Sequence, residues 1–180
     1  MQDTNSSEKT PAISVIIVGR DGFKTLAPII PALMDQTIAH RMQLIVVLPE
    51  DEEPPYSADA LSRFAEFRKC IIGRIGNRGV ASAKAVPLAT APVIAFTENH
   101  CFPDPNWAEV LSSSYADGIS GVSPVIGNAN PQSALSWATY ASGYAAFVSR
   151  DRTVDIEEMP IHNTSYRADV LKQRMNRLED

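Results

Sequence analysis

A chain of 180 residues with 44% hydrophobic residues is long and apolar enough to fold around a core of its own. A formal net charge of -5, with no block of Lys and Arg, disfavours a nucleic-acid-binding surface. No apolar run is long enough to cross a bilayer. Residues 1–10 are polar and lack a signal-peptide core, so we expect a disordered tail there and one domain over residues 11–180.

Four short apolar runs predict buried strands that begin near Ile13, Leu44, Cys70 and Val93. The first two runs are nearly continuous, as in strands that are buried on both faces. The segments between the runs carry helical spacing or small residues, and we expect helices over residues 24–36, 58–67 and 80–88. Two prolines complicate the first of these helices, whose regular part is expected to begin near Pro28.

The last third of the chain is less regular. We expect helices over residues 107–116, 133–147 and 168–178, with a strand over residues 119–126 and a charged, mobile loop over residues 149–160. The alternation of strands and helices before this region is typical of an α/β fold, in which a mainly parallel sheet is covered by helices on both faces.

In open sheets of this kind, ligands bind beyond the carboxyl ends of the strands. That rule places four polar turns around one crevice, at residues 19–21, 48–50, 77–79 and 98–100. Glu98 and His100 are two residues apart, so in an extended backbone their side chains point to the same side. Both side-chain types bind divalent metals, and the alternative is a polar turn that happens to contain a histidine.

The two cysteines, Cys70 and Cys101, lie far apart in the sequence and form no metal-ligand or redox motif. Cys70 falls in a predicted strand, where it would serve as a small hydrophobe. This use of cysteine favours a reducing compartment, and we expect a cytoplasmic protein, either free or peripheral to the membrane.

Several stretches occur in the order found in one known family. They are residues 14–21 (SVIIVGRD), 77–84 (NRGVASAK), 95–100 (AFTENH), 102–107 (FPDPNW) and 162–167 (HNTSYR). Together they resemble the family 2 inverting glycosyltransferases, which have the GT-A nucleotide-diphospho-sugar fold. The first stretch resembles the family's nucleotide-contacting turn and the second its Asn-x-Gly-x-x-x-Ala-Arg segment. The third aligns with the strand that carries the Asp-x-Asp motif, and the last resembles the acceptor-side segment.

The resemblance implies roles for individual side chains. Residues expected to contact a nucleotide-diphospho-sugar donor are Gly19, Arg20, Asp21, Glu50, Lys84 and Glu98. A divalent cation, Mn²⁺ or Mg²⁺, is expected on Glu98, His100 and His162. The acceptor, a carbohydrate or a lipid-linked molecule, is expected near Asn163, Tyr166 and Arg167. Lys84 could equally be a solvated helix residue, and His162 a histidine that is hydrogen-bonded at the domain edge.

Three departures from the family pattern affect these expectations. Leu48-Pro49 stands where the family often has an Asp after the second strand, so Glu50 or Asp51 would have to substitute. Glu98-Asn99-His100 replaces the Asp-x-Asp motif. The general base of the family is a later carboxylate, and the acidic pair at residues 179–180 follows residues 166–167 too closely for us to assign it.

Three functions remain open from the sequence. The first is an inverting glycosyltransferase that transfers a sugar from a nucleotide-diphospho-sugar to an acceptor hydroxyl. The second is a catalytically inactive GT-A module, which lacks its catalytic end and binds a nucleotide sugar or a partner protein. The third is an unrelated or nucleotidyltransferase-like doubly wound domain, because a fold does not by itself determine a function.

Overall fold

The computed structural model describes residues 10–144, 155, 159 and 163–175. Its strands are β1 (Ile13–Val18), β2 (Met42–Leu48), β3 (Glu66–Ile71), β4 (Val93–Thr97), β5 (Gly121–Val122) and β6 (Thr164–Arg167). They form one six-stranded sheet in the order β3-β2-β1-β4-β6-β5. The first four strands are parallel, whereas β6 runs antiparallel to both of its neighbours. The predicted mixed α/β architecture with a mainly parallel sheet is confirmed.

Helices cover both faces of the sheet. The α-helices are α1 (Ile30–Met34), α2 (Ala58–Leu61), α3 (Arg78–Ala85), α4 (Trp107–Ser113), α5 (Ala134–Tyr144) and α6 (Ala168–Arg174). Alternate residues of β1 contribute to two different cores. Val15 and its partners pack with α1 and α4, and Ile16 and its partners pack with α3 and α6. Burial on both faces is the physical reason for the continuous apolar run of β1.

Two polar side chains lie inside this apolar sheet, and each has hydrogen-bond partners. Ser14 on β1 donates its hydroxyl to Oε1 of Gln43 on β2, at 2.5 Å. The same Gln43 oxygen accepts a hydrogen bond from the Thr90 amide, and Nε2 of Gln43 donates to the Leu88 carbonyl. Both side chains are fully buried. This network ties the amino ends of β1 and β2 to the segment that leads into β4.

The third strand differs from its prediction. Strand β3 begins at Glu66 rather than at Cys70, and helix α2 ends at Leu61 rather than near Phe67. Strand β3 pairs only with β2 in the described sheet, so its outer edge is partly exposed and three of its first four residues, Glu66, Arg68 and Lys69, are charged. These charged residues hid the start of the strand from a search for apolar runs. Ser57 caps α2, because its Oγ accepts the Ala60 amide at 3.1 Å.

Other boundaries also move. The strand predicted over residues 119–126 is limited to Gly121–Val122, and the regular part of the first helix begins at Ile30. Helix α4 is shorter than predicted. No helix among the described residues is long and apolar enough to span a membrane. The predictions for residues 1–9, for His162, for the acidic pair at 179–180 and for most of the loop at 149–160 lie outside the described residues.

Candidate functional site

The carboxyl ends of three neighbouring strands meet at one edge of the sheet. In the strand pairing, Ile17 lies beside Thr97 and Val18 lies beside Val47, so β1, β2 and β4 end at the same level. Adjacent strands are about 4.8 Å apart. The turns after β1 and β2 and the turn that begins at Glu98 are therefore neighbours, as the rule for the carboxyl ends of strands in an open parallel sheet predicted.

An open cleft of about 340 Å³ lies beside the turns that follow β1 and β2. Its lining residues are Arg20, Asp21, Gly22, Lys24, Pro49, Glu50 and Glu52. Three of the residues predicted to contact a nucleotide, Arg20, Asp21 and Glu50, thus lie around one cavity. The sequence did not single out Lys24 or Glu52. Their positions close to the ends of β1 and β2 were the sequence feature that could have indicated them.

Gly19 and Gly22 allow the β1 turn to pack tightly. A Cβ atom on Gly19 would lie 3.0 Å from both the Gly22 carbonyl oxygen and the Leu26 side chain. Gly22 has a φ of 85° and a ψ of -173°, a conformation that is open almost only to glycine. A Cβ atom there would lie 2.2 Å from Oε1 of Glu52, which also accepts the Phe23 amide at 2.8 Å. The Glu52 carboxylate therefore holds the β2 loop against the β1 turn.

Glu98 stands at the end of β4 between two cationic or potentially cationic groups. Its Oε1 accepts a hydrogen bond from Nη1 of Arg78 at 2.9 Å, and its Oε2 lies 3.2 Å from Nε2 of His100. The Glu98 side chain is only 12% exposed, whereas that of His100 is 56% exposed. Asn77 caps helix α3 by accepting the Val80 amide, and this cap sets the position of Arg78 in the first turn. The predicted convergence of Glu98 and His100 is therefore observed.

The convergence arises from a turn rather than from an extended strand. The amide of Cys101 donates to the Glu98 carbonyl at 3.0 Å, which closes a turn directly after β4. One ligand atom from each of Glu98, His100 and Cys101 lies within 4.8 Å of the others. The sequence did not indicate this group, because the turn brings together residues that no sequence motif connects.

Burial raises the pKa of the Cys101 thiol, so the free thiol keeps its proton. Tyr144, at the end of α5, lies near the same groups. Burial raises the pKa of its hydroxyl, and electrostatic interactions with Cys101 and Glu98 raise it further. Tyr144 is thus a neutral neighbour of the cluster, and nothing in the sequence near it indicated this role.

Lys84 lies on the same helix as Arg78 but away from the Glu98 cluster. It is exposed on α3, six residues after Arg78 and therefore about 9 Å farther along the helix axis. Its carbonyl accepts a weak hydrogen bond from the Cys70 thiol on β3. Burial raises the pKa of that thiol, and the Lys84 charge partly opposes the shift.

The three residues predicted on the acceptor side are spread along the sheet. Asn163, which has a φ of 52°, accepts a hydrogen bond from the Trp107 indole at 2.8 Å. Because Thr164 pairs with Phe96, Asn163 lies near the carboxyl end of β4. Tyr166 packs edge-on against Phe96, with the ring centroids 6.2 Å apart.

Arg167 lies at the other end of the same strand. It pairs with Val93, and its guanidinium binds Asp169 at 2.7 Å. Val93 and Glu98 are separated by five residues of β4 and its extension, or about 16 Å. Arg167 is therefore distant from the edge at which Glu98, His100 and the open cleft are found.

Several solved structures of known proteins resemble this architecture. No protein-family model and no curated protein matches the sequence. The mannosyltransferase PcManGT from Pyrobaculum calidifontis, in complex with GDP-Man and Mn²⁺, has a TM-score of 0.62 at 13% identity, over 91% of this chain and 46% of that one. TarS residues 1–349 from S. aureus, in complex with UDP, has a TM-score of 0.63 at 13% identity, over 90% and 48%.

The chain has the GT-A fold. The same TarS fragment in complex with UDP-GlcNAc gives a TM-score of 0.60 at 12% identity, over 90% of this chain and 47% of that one. These structural neighbours are GT-A glycosyltransferases, and at such low identity the likeness concerns the fold alone. The present GT-A chain spans about half the length of these neighbours.

Proposed function

We propose that this GT-A chain is a glycosyltransferase domain of the family 2 type. It would transfer a sugar from a nucleotide-diphospho-sugar to an acceptor hydroxyl with inversion at the anomeric carbon. The observation that carries the proposal is the shared edge of the sheet. The polar cleft with Arg20, Asp21 and Glu50 lies beside the turn that presents Glu98 and His100. A donor needs both a nucleoside pocket and a charged site for its diphosphate.

The cleft offers the groups that a nucleoside requires. The carboxylates of Asp21 and Glu50 can accept hydrogen bonds from ribose hydroxyls or from base N–H groups. Arg20 and Lys24 are the basic side chains beside them and can contact phosphate oxygens. Gly19 allows the close approach of the backbone in this turn. Lys84 is an additional phosphate or base contact in this proposal.

Glu98 and His100 would hold the divalent cation. Their carboxylate and imidazole groups are ligands that Mn²⁺ accepts, and they already lie 3.2 Å apart. His162 is the proposed third ligand. When bound, the cation neutralises negative charge that develops on the departing nucleoside diphosphate. Arg78 now makes an ion pair with Glu98 and can supply part of the same positive charge.

Inversion follows from a single displacement. A carboxylate base takes the proton of the acceptor hydroxyl, whose oxygen attacks the anomeric carbon from the face opposite the diphosphate. The bond between this carbon and the diphosphate oxygen breaks, and the nucleoside diphosphate leaves. A carbohydrate or lipid-linked acceptor would approach beside Asn163 and Tyr166, with Arg167 farther along β6. The base remains unassigned.

Calorimetric titration with nucleoside diphosphates and nucleotide sugars in the presence of Mn²⁺ tests the proposal. We expect binding by the parent protein and at least about tenfold weaker binding by Glu98→Gln, which keeps the shape of the side chain. Asp59→Asn, an exposed residue of α2, is the matched control and should bind like the parent. A folded parent that binds no nucleotide overturns the proposal. Binding without transfer to any acceptor would instead support the inactive nucleotide-sugar module.

A further inference from the structure

The turn after β4 carries three different types of metal ligand. Glu98 offers a carboxylate oxygen, His100 an imidazole nitrogen and Cys101 a thiol sulfur, and these atoms all lie within 4.8 Å of one another. The three residues come from four consecutive positions, and the hydrogen bond from the Cys101 amide to the Glu98 carbonyl holds the turn closed. The cluster is thus formed by one rigid local structure and does not depend on a distant loop.

The spacing is close to that of a tetrahedral zinc site. Zinc–ligand bonds of roughly 2.0–2.3 Å place the ligand atoms of a tetrahedral site about 3.3–3.7 Å apart. The oxygen of Glu98 and the nitrogen of His100 are already 3.2 Å apart. The sulfur therefore has to approach the other two ligand atoms by about 1.5 Å at most, which a change of side-chain rotamer can supply.

We propose that Glu98, His100 and Cys101 form a binding site for Zn²⁺ or a similarly thiophilic divalent metal. Thiolate and imidazole ligands favour Zn²⁺, whereas Mn²⁺ and Mg²⁺ favour oxygen ligands and gain little from a sulfur. The Cys101 thiol loses its proton to solvent as the zinc–sulfur bond forms, and the metal keeps its oxidation state. Three protein ligands leave the fourth tetrahedral position open to water or to another oxygen donor.

Two of the three proposed ligand side chains are partly shielded from solvent. The Glu98 side chain is only 12% exposed, and the Cys101 side chain is partly buried, so neither ligand is fully hydrated before binding. Tyr144 lies on one side as a neutral neighbour. Arg78 holds the other Glu98 oxygen and fixes the carboxylate, which leaves Oε2 towards His100.

Cobalt spectroscopy tests the sulfur ligand directly. Co²⁺ substitutes for Zn²⁺ and gives a sulfur-to-cobalt charge-transfer band in the near ultraviolet only when a thiolate is bound. The chain has two cysteines, so Cys70→Ala is the matched control for Cys101→Ala. We expect the band in the parent and in Cys70→Ala and its loss in Cys101→Ala. Absence of the band from the parent, or its survival in Cys101→Ala, overturns the proposal.

Zinc affinity, measured by competition with a chromophoric chelator, provides a second readout. Even the loss of a side chain that only hydrogen-bonds to a metal ligand typically lowers metal affinity by about 10–100-fold. Removal of the proposed ligand itself in Cys101→Ala should therefore weaken Zn²⁺ binding by at least about tenfold. The same variant should leave Mn²⁺ affinity within about twofold of the parent. His100→Ala, at an exposed position where folding is safe, should also weaken Zn²⁺ binding. Equal Zn²⁺ affinity in the parent and in both variants overturns the proposal.

The zinc inference uses two residues of the proposed donor site, but it can fail separately. All of its measurements are made without nucleotide. A chain that binds Zn²⁺ through sulfur and binds no nucleotide would keep this inference and lose the proposed function. A chain that binds a nucleoside diphosphate with Mn²⁺ but shows no cobalt–sulfur band would keep the proposed function and lose this inference.

Discussion

Arg78 and Glu98 form an ion pair at the edge where the parallel strands end, with Nη1 of Arg78 2.9 Å from Oε1 of Glu98. The guanidinium therefore occupies one oxygen of the carboxylate that we propose as a metal ligand. A cation that approaches Glu98 meets a positive charge already in place, and like charges at such distances repel. The pair also links helix α3 to the end of β4.

Removal of the Arg78 charge should strengthen the binding of Mn²⁺ alone. An exposed ion pair is worth about 0.2–1 kcal/mol, so we expect Arg78→Gln to bind Mn²⁺ about 1.4- to 5-fold more tightly in the absence of nucleotide. Arg63→Gln makes the same charge change in a pair with Asp35 and should have no effect. Electron paramagnetic resonance of free Mn²⁺ gives the affinity. Weaker binding by Arg78→Gln would show that the guanidinium supports the site instead of competing with the metal.

Substitution of Gly22 should destabilise the fold more than substitution of other glycines. Gly22→Ala strains a positive φ, and its Cβ atom, 2.2 Å from Oε1 of Glu52, would also displace that carboxylate from the Phe23 amide. Gly73→Ala pays only for its φ of 75°, because its Cβ would meet no atom within 4 Å. We expect losses of about 2–4 kcal/mol and about 1–2 kcal/mol, respectively. Urea denaturation measures both, with Gly76→Ala as the neutral control. Equal losses for Gly22→Ala and Gly73→Ala would contradict the role of Glu52.

The buried amide of Gln43 should be essential to the sheet. Gln43→Leu leaves the Ser14 hydroxyl and the Thr90 amide without their acceptor, and each orphaned group costs about 1–3 kcal/mol. We expect a loss of about 2–6 kcal/mol in the free energy of unfolding. Gln173→Leu, at an exposed position of α6, should change it by less than about 0.5 kcal/mol. A similar effect of both substitutions in chemical denaturation would refute this account of the network.

Tyr115 should make the protein less stable in strong alkali. Burial raises the pKa of its hydroxyl from 10.0 to about 12, against the opposing hydrogen bond to Ser165 at 2.7 Å. Between these two values the unfolded chain loses the phenolic proton and the folded chain keeps it. The contribution to stability is therefore complete below pH 10 and is lost as the pH rises towards 12.

Denaturation curves at increasing pH provide the test for Tyr115. Tyr115→Phe, which cannot ionise, should show a shallower fall in stability across this interval than the parent. Ultraviolet difference spectra should show late-ionising tyrosines in the parent and one fewer of them in Tyr115→Phe. An identical alkaline slope in the parent and in Tyr115→Phe would mean that the hydroxyl is not protected by burial.

Strands β1, β2 and β4 could be predicted because burial on both faces of a sheet is visible in the local sequence. Their apolar runs are continuous, and the order of strands and helices then implies parallel pairing and a shared edge. Strand β3 could be located only in part, because its exposed edge permits Glu66, Arg68 and Lys69 within the strand. Strand β6 is short and polar, and only its pairing with β4 and β5 defines it.

The sequence by itself determined the mainly parallel α/β architecture and the edge at which Arg20, Asp21, Glu50 and Glu98 are found. Both follow from local patterns of burial and from the fixed handedness of the connections. Only the tertiary structure decided that Arg78 reaches Glu98, that Cys101 turns back beside His100, and that Arg167 lies at the opposite end of β4. Contacts of this kind depend on the dihedral angles of one turn and on the register of one strand pair. A shift of a single residue would reverse them without any change in composition or periodicity.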